Sequence, residues 1–157
     1  LAYEILGDAI RKQAAEDGAL CQLALVGANH LVEVALFKLL LPHAQSTGKA
    51  TSLTLKKLQR TAYFDMLAYW IPKVSGSKLD LTTEPFVSTE RLRQRRNDTV
   101  HSKSAIATVQ MARSALYSAV EATRHLYAHM GEAFPYGPHL RKFPQVPEMP
   151  FSEVSLP

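Results

Sequence analysis

The 157-residue chain contains one cysteine, Cys21, and this excludes a disulfide framework within a single chain. Because proteins without disulfides are typical of a reducing compartment, the sequence predicts a cytoplasmic protein. Cys21 lies in the apolar run LCQLALVG, which favours a small buried residue over a thiol nucleophile. Glycine is also scarce, with seven residues, and the chain contains neither a glycine-rich phosphate loop nor an internal repeat.

The net charge of +4 and the pI near 9.3 suit a polyanionic partner, although so small an excess is also common in proteins that never contact nucleic acid. The most apolar stretch, 20–41, approaches membrane-spanning length. Its polar residues would each be costly in lipid, namely Asn29, His30, Glu33 and Lys38. We therefore interpret this stretch as a central buried helix and expect no membrane partner.

The spacing of apolar residues predicts helices, because runs of alternating β-branched residues are scarce. We expect helices over 2–17, 20–41, 52–71, 90–97 and about 103–130. Pro42 and Pro72 are expected to end the second and third helices, and Gly131 is expected to cap the last one.

These helices predict an all-α fold, an up-and-down bundle of four or five helices, over residues 1–131. The remaining residues, 132–157, carry most of the prolines and are expected to form an irregular tail packed on the domain or on a neighbour. The expected buried stripe of the second helix consists of Leu23, Gly27, Leu31, Val34 and Leu41. The expected stripe of the last helix consists of Val109, Ala112, Leu116, Val120, Thr123, Leu126 and Met130.

Residues 91–101, RLRQRRNDTVH, place four arginines within six positions and end on a histidine. Such a run is usually a solvated basic face, and Leu92 is its one clear apolar anchor. The alternative is a catalytic role, because Arg96 and His101 together could cleave RNA without a metal. The imidazole would move a proton from the ribose 2′-hydroxyl or to the 5′-oxygen, and the guanidinium would stabilise the charge on phosphorus.

The spacing of Arg96 and His101 carries little information by itself. With nine arginines and six histidines, about one match at such gaps is expected by chance. Arg124 and His129 have the same gap, but residues five apart inside a long helix do not share a face, so we interpret that match as accidental.

The context of RNDTVH is more informative than its spacing. Asn97 follows Arg96 directly, and the motif lies at a junction of two predicted helices in an all-α domain. In these features the sequence resembles the HEPN superfamily, the higher eukaryotes and prokaryotes nucleotide-binding domains. The resemblance covers the order of the helices over 20–131.

The resemblance implies a metal-independent endoribonuclease of a toxin–antitoxin or other bacterial defence system, working without a cofactor. It implies a homodimer whose protomers share one cleft, RNA as the substrate, and an antitoxin-like protein inhibitor as a partner. Carried over to this chain, Arg96 would bind the phosphate, His101 would act as acid or base, and Asn97 would orient the histidine or the substrate. Other members of the superfamily are non-catalytic nucleotide- or protein-binding modules, and this alternative stays open, as does a helical partner subunit that docks through its tail.

This sequence departs from one subgroup of the superfamily. Members paired with minimal nucleotidyltransferases have a Tyr two residues after the His, where this chain has Lys103, so neither that pairing nor the tyrosine modification is expected. We expect Lys103 to contribute substrate-binding charge together with Arg93 and Arg95. Glu33 is the candidate supporting carboxylate, with Arg96 or His101 as its expected partner and a plain ion pair with Lys38 as the alternative.

Three other clusters have simpler interpretations. His125 and His129 have a spacing that can chelate zinc, but without an HExxH pattern or a cysteine pair we expect two histidines near the surface and no metal. His30 is expected to be a satisfied polar group of the core. An aromatic cluster on the third helix is expected to serve core and dimer interface, with base stacking as the alternative, and consists of Tyr63, Phe64, Tyr69 and Trp70.

Overall fold

The computed structural model describes residues 18–46, 56–57, 60, 62–100, 107–140 and 150–151. Its helices are α1 (Gly18–Ser46), α2 (Tyr63–Asp65), the π-helical segment π1 (Met66–Trp70), α3 (Ile71–Ser75), α4 (Phe86–Val100), α5 (Val109–His129) and α6 (Gly137–Leu140). Within these ranges no strand is present, which confirms the predicted all-α fold. The predicted first helix, 2–17, lies outside the described residues.

The centre of the fold is the packing of α1 along α5, with α4 against both. Both helices bury rows of alanines completely, and such short side chains allow two helix backbones to approach closely. On α1 these alanines are Ala24, Ala28 and Ala35, and on α5 they are Ala112, Ala115, Ala119 and Ala122.

The predicted buried stripe of α1 is wrong. Leu23 is 53% exposed, whereas Cys21, Ala24, Leu25 and Val32 are buried. Because α1 is apolar around most of its circumference, periodicity alone does not identify the face that packs against α5. The prediction that Cys21 is a buried residue is confirmed.

Neither proline ends its helix where the sequence predicts. Pro42 lies inside α1, which continues to Ser46, and α3 continues past Pro72 to Ser75. Loss of one backbone hydrogen bond near the end of α1 is offset by burial of Leu39, Leu40 and Ala44 on the core.

The segment before Pro72 is π-helical, with the Ile71 N–H donating to the Met66 carbonyl five residues earlier. A proline ring clashes with the carbonyl four residues before it in a regular α-helix, and the wider π turn relieves that clash.

The predicted single helix over 52–71 is also interrupted, because Ala62 is extended, with φ −64° and ψ 149°. Ala62 is therefore not part of a continuous third helix.

Both ends of α5 are defined by side-chain or backbone caps. Thr108 is the N-cap and accepts a hydrogen bond from the Met111 N–H at 3.2 Å, so the predicted start near residue 103 is wrong. The predicted C-cap is confirmed, because Gly131 has φ +71° and the Glu132 N–H donates to the Tyr127 carbonyl at 2.9 Å. The predicted stripe of α5 is largely confirmed, since five of its members are buried: Ala112, Leu116, Val120, Thr123 and Leu126.

Eleven residues of the predicted tail are described, 132–140 and 150–151, and they include the short helix α6, so the tail is not irregular throughout. Phe151 is completely buried, and its N–H donates to Ser118 Oγ on α5 at 2.8 Å. The domain boundary at residue 131 stays a prediction.

By length and composition, α1 could cross a membrane, with a mean hydropathy of 1.6 over its most apolar window. Half of that window is buried inside the structure. A buried core helix of a soluble protein meets the same criteria, so this property does not assign α1 to a membrane.

Candidate functional site

The arginine-rich residues 91–100 form the C-terminal two thirds of α4. Leu92 is completely buried and anchors the helix to the core, while Arg91 is exposed and Arg93, Arg95 and Arg96 are half-buried around it. The arginines are therefore arranged along the edge of the bundle and not on a fully solvated face. His101 and Lys103 lie outside the described residues.

Arg93 is held by Glu90 through two parallel hydrogen bonds. Arg93 Nε donates to Glu90 Oε2 and Arg93 Nη2 to Glu90 Oε1, both at 2.8 Å, and Gln94 donates to the same carboxylate at 3.1 Å. The bonds from Arg93 lower the pKa of Glu90, and the same bonds raise the pKa of Arg93. An incoming anion would have to compete with Glu90 for this guanidinium.

The pair predicts a pH-dependent effect of Glu90→Gln. Because the folded pKa of Glu90 lies below its usual 4.5, the pair stabilises the fold above that pH, and this stabilisation is lost as pH falls through the lowered pKa. Since Glu90 is 39% exposed, we expect a loss of only about 0.2–1 kcal/mol in the free energy of unfolding at pH 7. Urea unfolding at pH 7 and at a series of pH values below 4.5 checks this, and a difference from the unmodified protein that does not shrink as the pH falls would contradict it.

Arg96 and Asn97, the first two motif residues, contact each other directly. Arg96 Nη1 donates to Asn97 Oδ1 at 3.1 Å. Arg96 Nε is buried and has no hydrogen-bond acceptor within the described part of the chain. Buried guanidinium N–H groups normally have acceptors, so Arg96 Nε is an unsatisfied donor within the described residues.

Glu33 lies on α1, where its polar contacts come from its own helix. Asn29 Nδ2 donates to Glu33 Oε1 at 3.0 Å, and His30 Nδ1 lies 3.6 Å from Glu33 Oε2. Within the described ranges neither Arg96 nor Lys38 forms an ion pair with Glu33, and the expected contact with His101 lies outside them. The prediction that His30 is a core residue is wrong, because its side chain is 70% exposed and Asn29 is the buried polar residue.

The charge of Glu33 nevertheless acts on groups of α2 and α4. Its charge contributes to the raised pKa of Arg93 and to that of Tyr63 on α2. Burial raises the pKa of Tyr63 to about 12, with Thr89 and Glu90 beside the phenol. The buried Tyr63 hydroxyl has no hydrogen-bond partner within the described residues.

A second feature is an open groove of about 780 Å³ beside π1. Its lining consists of Lys56, Lys57, Arg60, Ala62, Asp65, Tyr69 and Trp70. Tyr69 is 66% exposed, and Lys57 Nζ lies 5.9 Å from the centre of the Trp70 ring. We refer to this feature as the basic groove. The sequence prediction missed it because a continuous third helix would not fold Lys56 and Arg60 towards Tyr69.

The two histidines of α5 have separate contacts. His129 Nε2 lies 3.0 Å from both Ser75 Oγ and the Ser77 carbonyl oxygen, which ties the end of α5 to the turn after α3. His125 Nδ1 lies 2.9 Å from the Glu121 carbonyl oxygen, and its ring packs edge-on against Phe86. Within the described ranges no group of three or more potential metal ligands is present.

Comparisons with protein-family models, with curated proteins and with solved structures found no match to this chain. The resemblance to the HEPN superfamily thus stays a prediction that rests on Arg96, Asn97 and His101.

Proposed function

We propose that the protein is a metal-independent endoribonuclease that cleaves single-stranded RNA by attack of a ribose 2′-hydroxyl. The observation that supports this most is the state of Arg96. Its guanidinium donates to Asn97, and its buried Nε lacks an acceptor among the described residues. In the sequence this cation is followed five positions later by a histidine, a residue type that can exchange a proton near neutral pH.

In the proposed reaction His101 takes the proton from the 2′-hydroxyl, and the 2′-oxygen attacks the adjacent phosphorus. The bond from phosphorus to the 5′-oxygen breaks, and that oxygen is protonated by a second acid, the corresponding histidine of the other protomer in a homodimer. The products are a 2′,3′-cyclic phosphate and a free 5′-hydroxyl. Arg96 stabilises the additional negative charge on the phosphoryl oxygens as the transition state forms.

In this proposal Arg95 and Lys103 attract the RNA backbone, while Arg93 contributes less because Glu90 compensates its charge. The biological role that accompanies such an activity is that of a cytoplasmic toxin or defence component, with an antitoxin-like protein as inhibitor.

The experiment is cleavage of a fluorescently labelled single-stranded RNA by the purified protein in EDTA. We expect cleavage to persist in EDTA, to yield cyclic phosphate ends, and to stop at a position where the substrate carries 2′-deoxyribose. His101→Ala is expected to lower the rate by about 100- to 10,000-fold while the thermal unfolding curve is unchanged. Cleavage of the deoxy substrate, or full activity of His101→Ala, would refute the proposed chemistry.

A non-catalytic binding module is the second candidate. This candidate is favoured by the hydrogen bonds of two arginines in α4. Arg93 donates to Glu90 and Arg96 donates to Asn97, both within the same helix. Such local bonds also occur where arginines only stabilise a helix. RNA binding without any cleavage in the same assay would support this candidate over the first.

A further inference from the structure

We propose that the basic groove binds single-stranded nucleic acid, with two backbone phosphates against Lys56 and Arg60 and one base stacked on Tyr69. In the enzyme proposed above, this groove would be an additional binding site for the RNA strand. Binding itself does not depend on that chemistry, so the two proposals can fail separately.

The charges of the groove fit a phosphate backbone. Lys56, Lys57 and Arg60 bring three positive charges to its lining, and Asp65 brings one negative charge. Lys56 and Arg60 are exposed, so their ammonium and guanidinium groups can reach an incoming strand. Cations along an open groove are the usual means of following a single-stranded backbone.

The aromatic side of the groove fits a base. Tyr69 is 66% exposed, although a phenol ring of this size normally gains by burial. Trp70 is half-buried, and the Lys57 ammonium lies 5.9 Å from the centre of its ring. One face of the indole is therefore in a cation–π contact. Tyr69 is therefore the aromatic ring of the groove that has exposed surface available for stacking with a base.

The π-helical turn explains why both rings lie at the same groove. A π turn contains more residues than an α turn, so consecutive side chains diverge by a smaller angle. Tyr69 and Trp70 are adjacent within π1, and both line the groove with Asp65 from the preceding turn. A volume of about 780 Å³ lies in the range of ligand sites and suits a short piece of a strand more than a single small ion.

The test measures fluorescence anisotropy of a labelled 2′-O-methyl oligouridylate decamer, which a 2′-hydroxyl mechanism cannot cleave. The double variant Lys56→Ala/Arg60→Ala removes two phosphate contacts, so the slope of log K against log salt should become less steep by about 1.4. Tyr69→Ala should weaken binding by about 5- to 150-fold with an unchanged salt slope. Tyr69→Phe keeps the ring and should bind like the unmodified protein.

Two matched variants serve as controls. Lys73→Ala/Lys78→Ala removes the same charge from exposed positions outside the groove, and Phe64→Ala removes a ring that is 56% exposed but does not line the groove. Both are expected to bind the decamer like the unmodified protein. Equal losses in the controls and in the groove variants would overturn the proposal, because binding would then reflect overall charge and apolar surface.

Two other occupants of the groove are outcomes of the same experiment. If polyglutamate competes as well as the decamer does, the groove binds acidic protein segments, and the proposal is wrong. If Tyr69→Ala turns a dimer into a monomer in sedimentation while binding is unaffected, Tyr69 belongs to a contact between copies, and the proposed stacking of a base on Tyr69 is wrong. Loss of binding in the groove variants combined with full activity of His101→Ala would support the groove and refute the cleavage mechanism.

Discussion

Phe151→Ala is expected to lower the free energy of unfolding by about 3–5 kcal/mol, because it removes a completely buried aromatic ring from the core. For a chain of 157 residues this corresponds to a decrease of about 6–20 °C in Tm. The Phe151 ring belongs to the core cluster that α1 and α5 form, and the backbone N–H of Phe151 donates to Ser118 Oγ. Thermal and urea unfolding followed by circular dichroism measure the change.

Phe64→Ala is the matched control for Phe151→Ala. The same atoms are removed, but Phe64 is 56% exposed, and such a surface change is expected to stay within about 0.5 kcal/mol. If the two substitutions had equal effects, Phe151 would not pack on the bundle in solution, and the tail would contribute nothing to stability.

The second large effect is expected for Arg96→Ala in the RNA cleavage assay. Removal of one preorganised group that stabilises charge in a transition state typically costs about 100- to 1000-fold in rate. The stability of the variant is expected to change little, because the described contact of Arg96 is the single bond to Asn97. Single-turnover cleavage of the labelled RNA measures the rate.

Two variants test whether the effect belongs to the guanidinium of Arg96. Arg91→Ala removes an equal charge from an exposed position of the same helix and should leave the rate nearly unchanged. Arg96→Lys keeps the charge but loses the planar set of donors, so its rate should fall between those of Arg96→Ala and the unmodified protein. Full activity of Arg96→Ala would remove Arg96 from the proposed site.

Local features of the chain were sufficient for several parts of the fold. The absence of alternating strands predicted the all-α class, and the buried stripe of α5 followed from its 3.6-residue periodicity. Gly131 marked the end of α5 because a left-handed backbone favours glycine. Cys21 was predicted to be buried from its apolar neighbours alone.

Other features depended on contacts between distant segments. The path of the chain around Ala62, and with it the basic groove, follows from packing that no local pattern encodes. Pro42 and Pro72 do not end their helices, because burial on the core and a π turn outweigh or relieve the local penalty.

For the candidate site, the sequence alone determined its composition: a cluster of arginines followed by Asn97 and His101, with Glu33 on an earlier helix. Tertiary structure decided how the charges pair, with Arg93 bound to Glu90 and Glu33 bound by Asn29. It also decided which face of α1 is buried. The physical reason is the same in each case, since periodicity specifies which residues share a face, whereas the free energy of packing selects the face and the partner that lies against it.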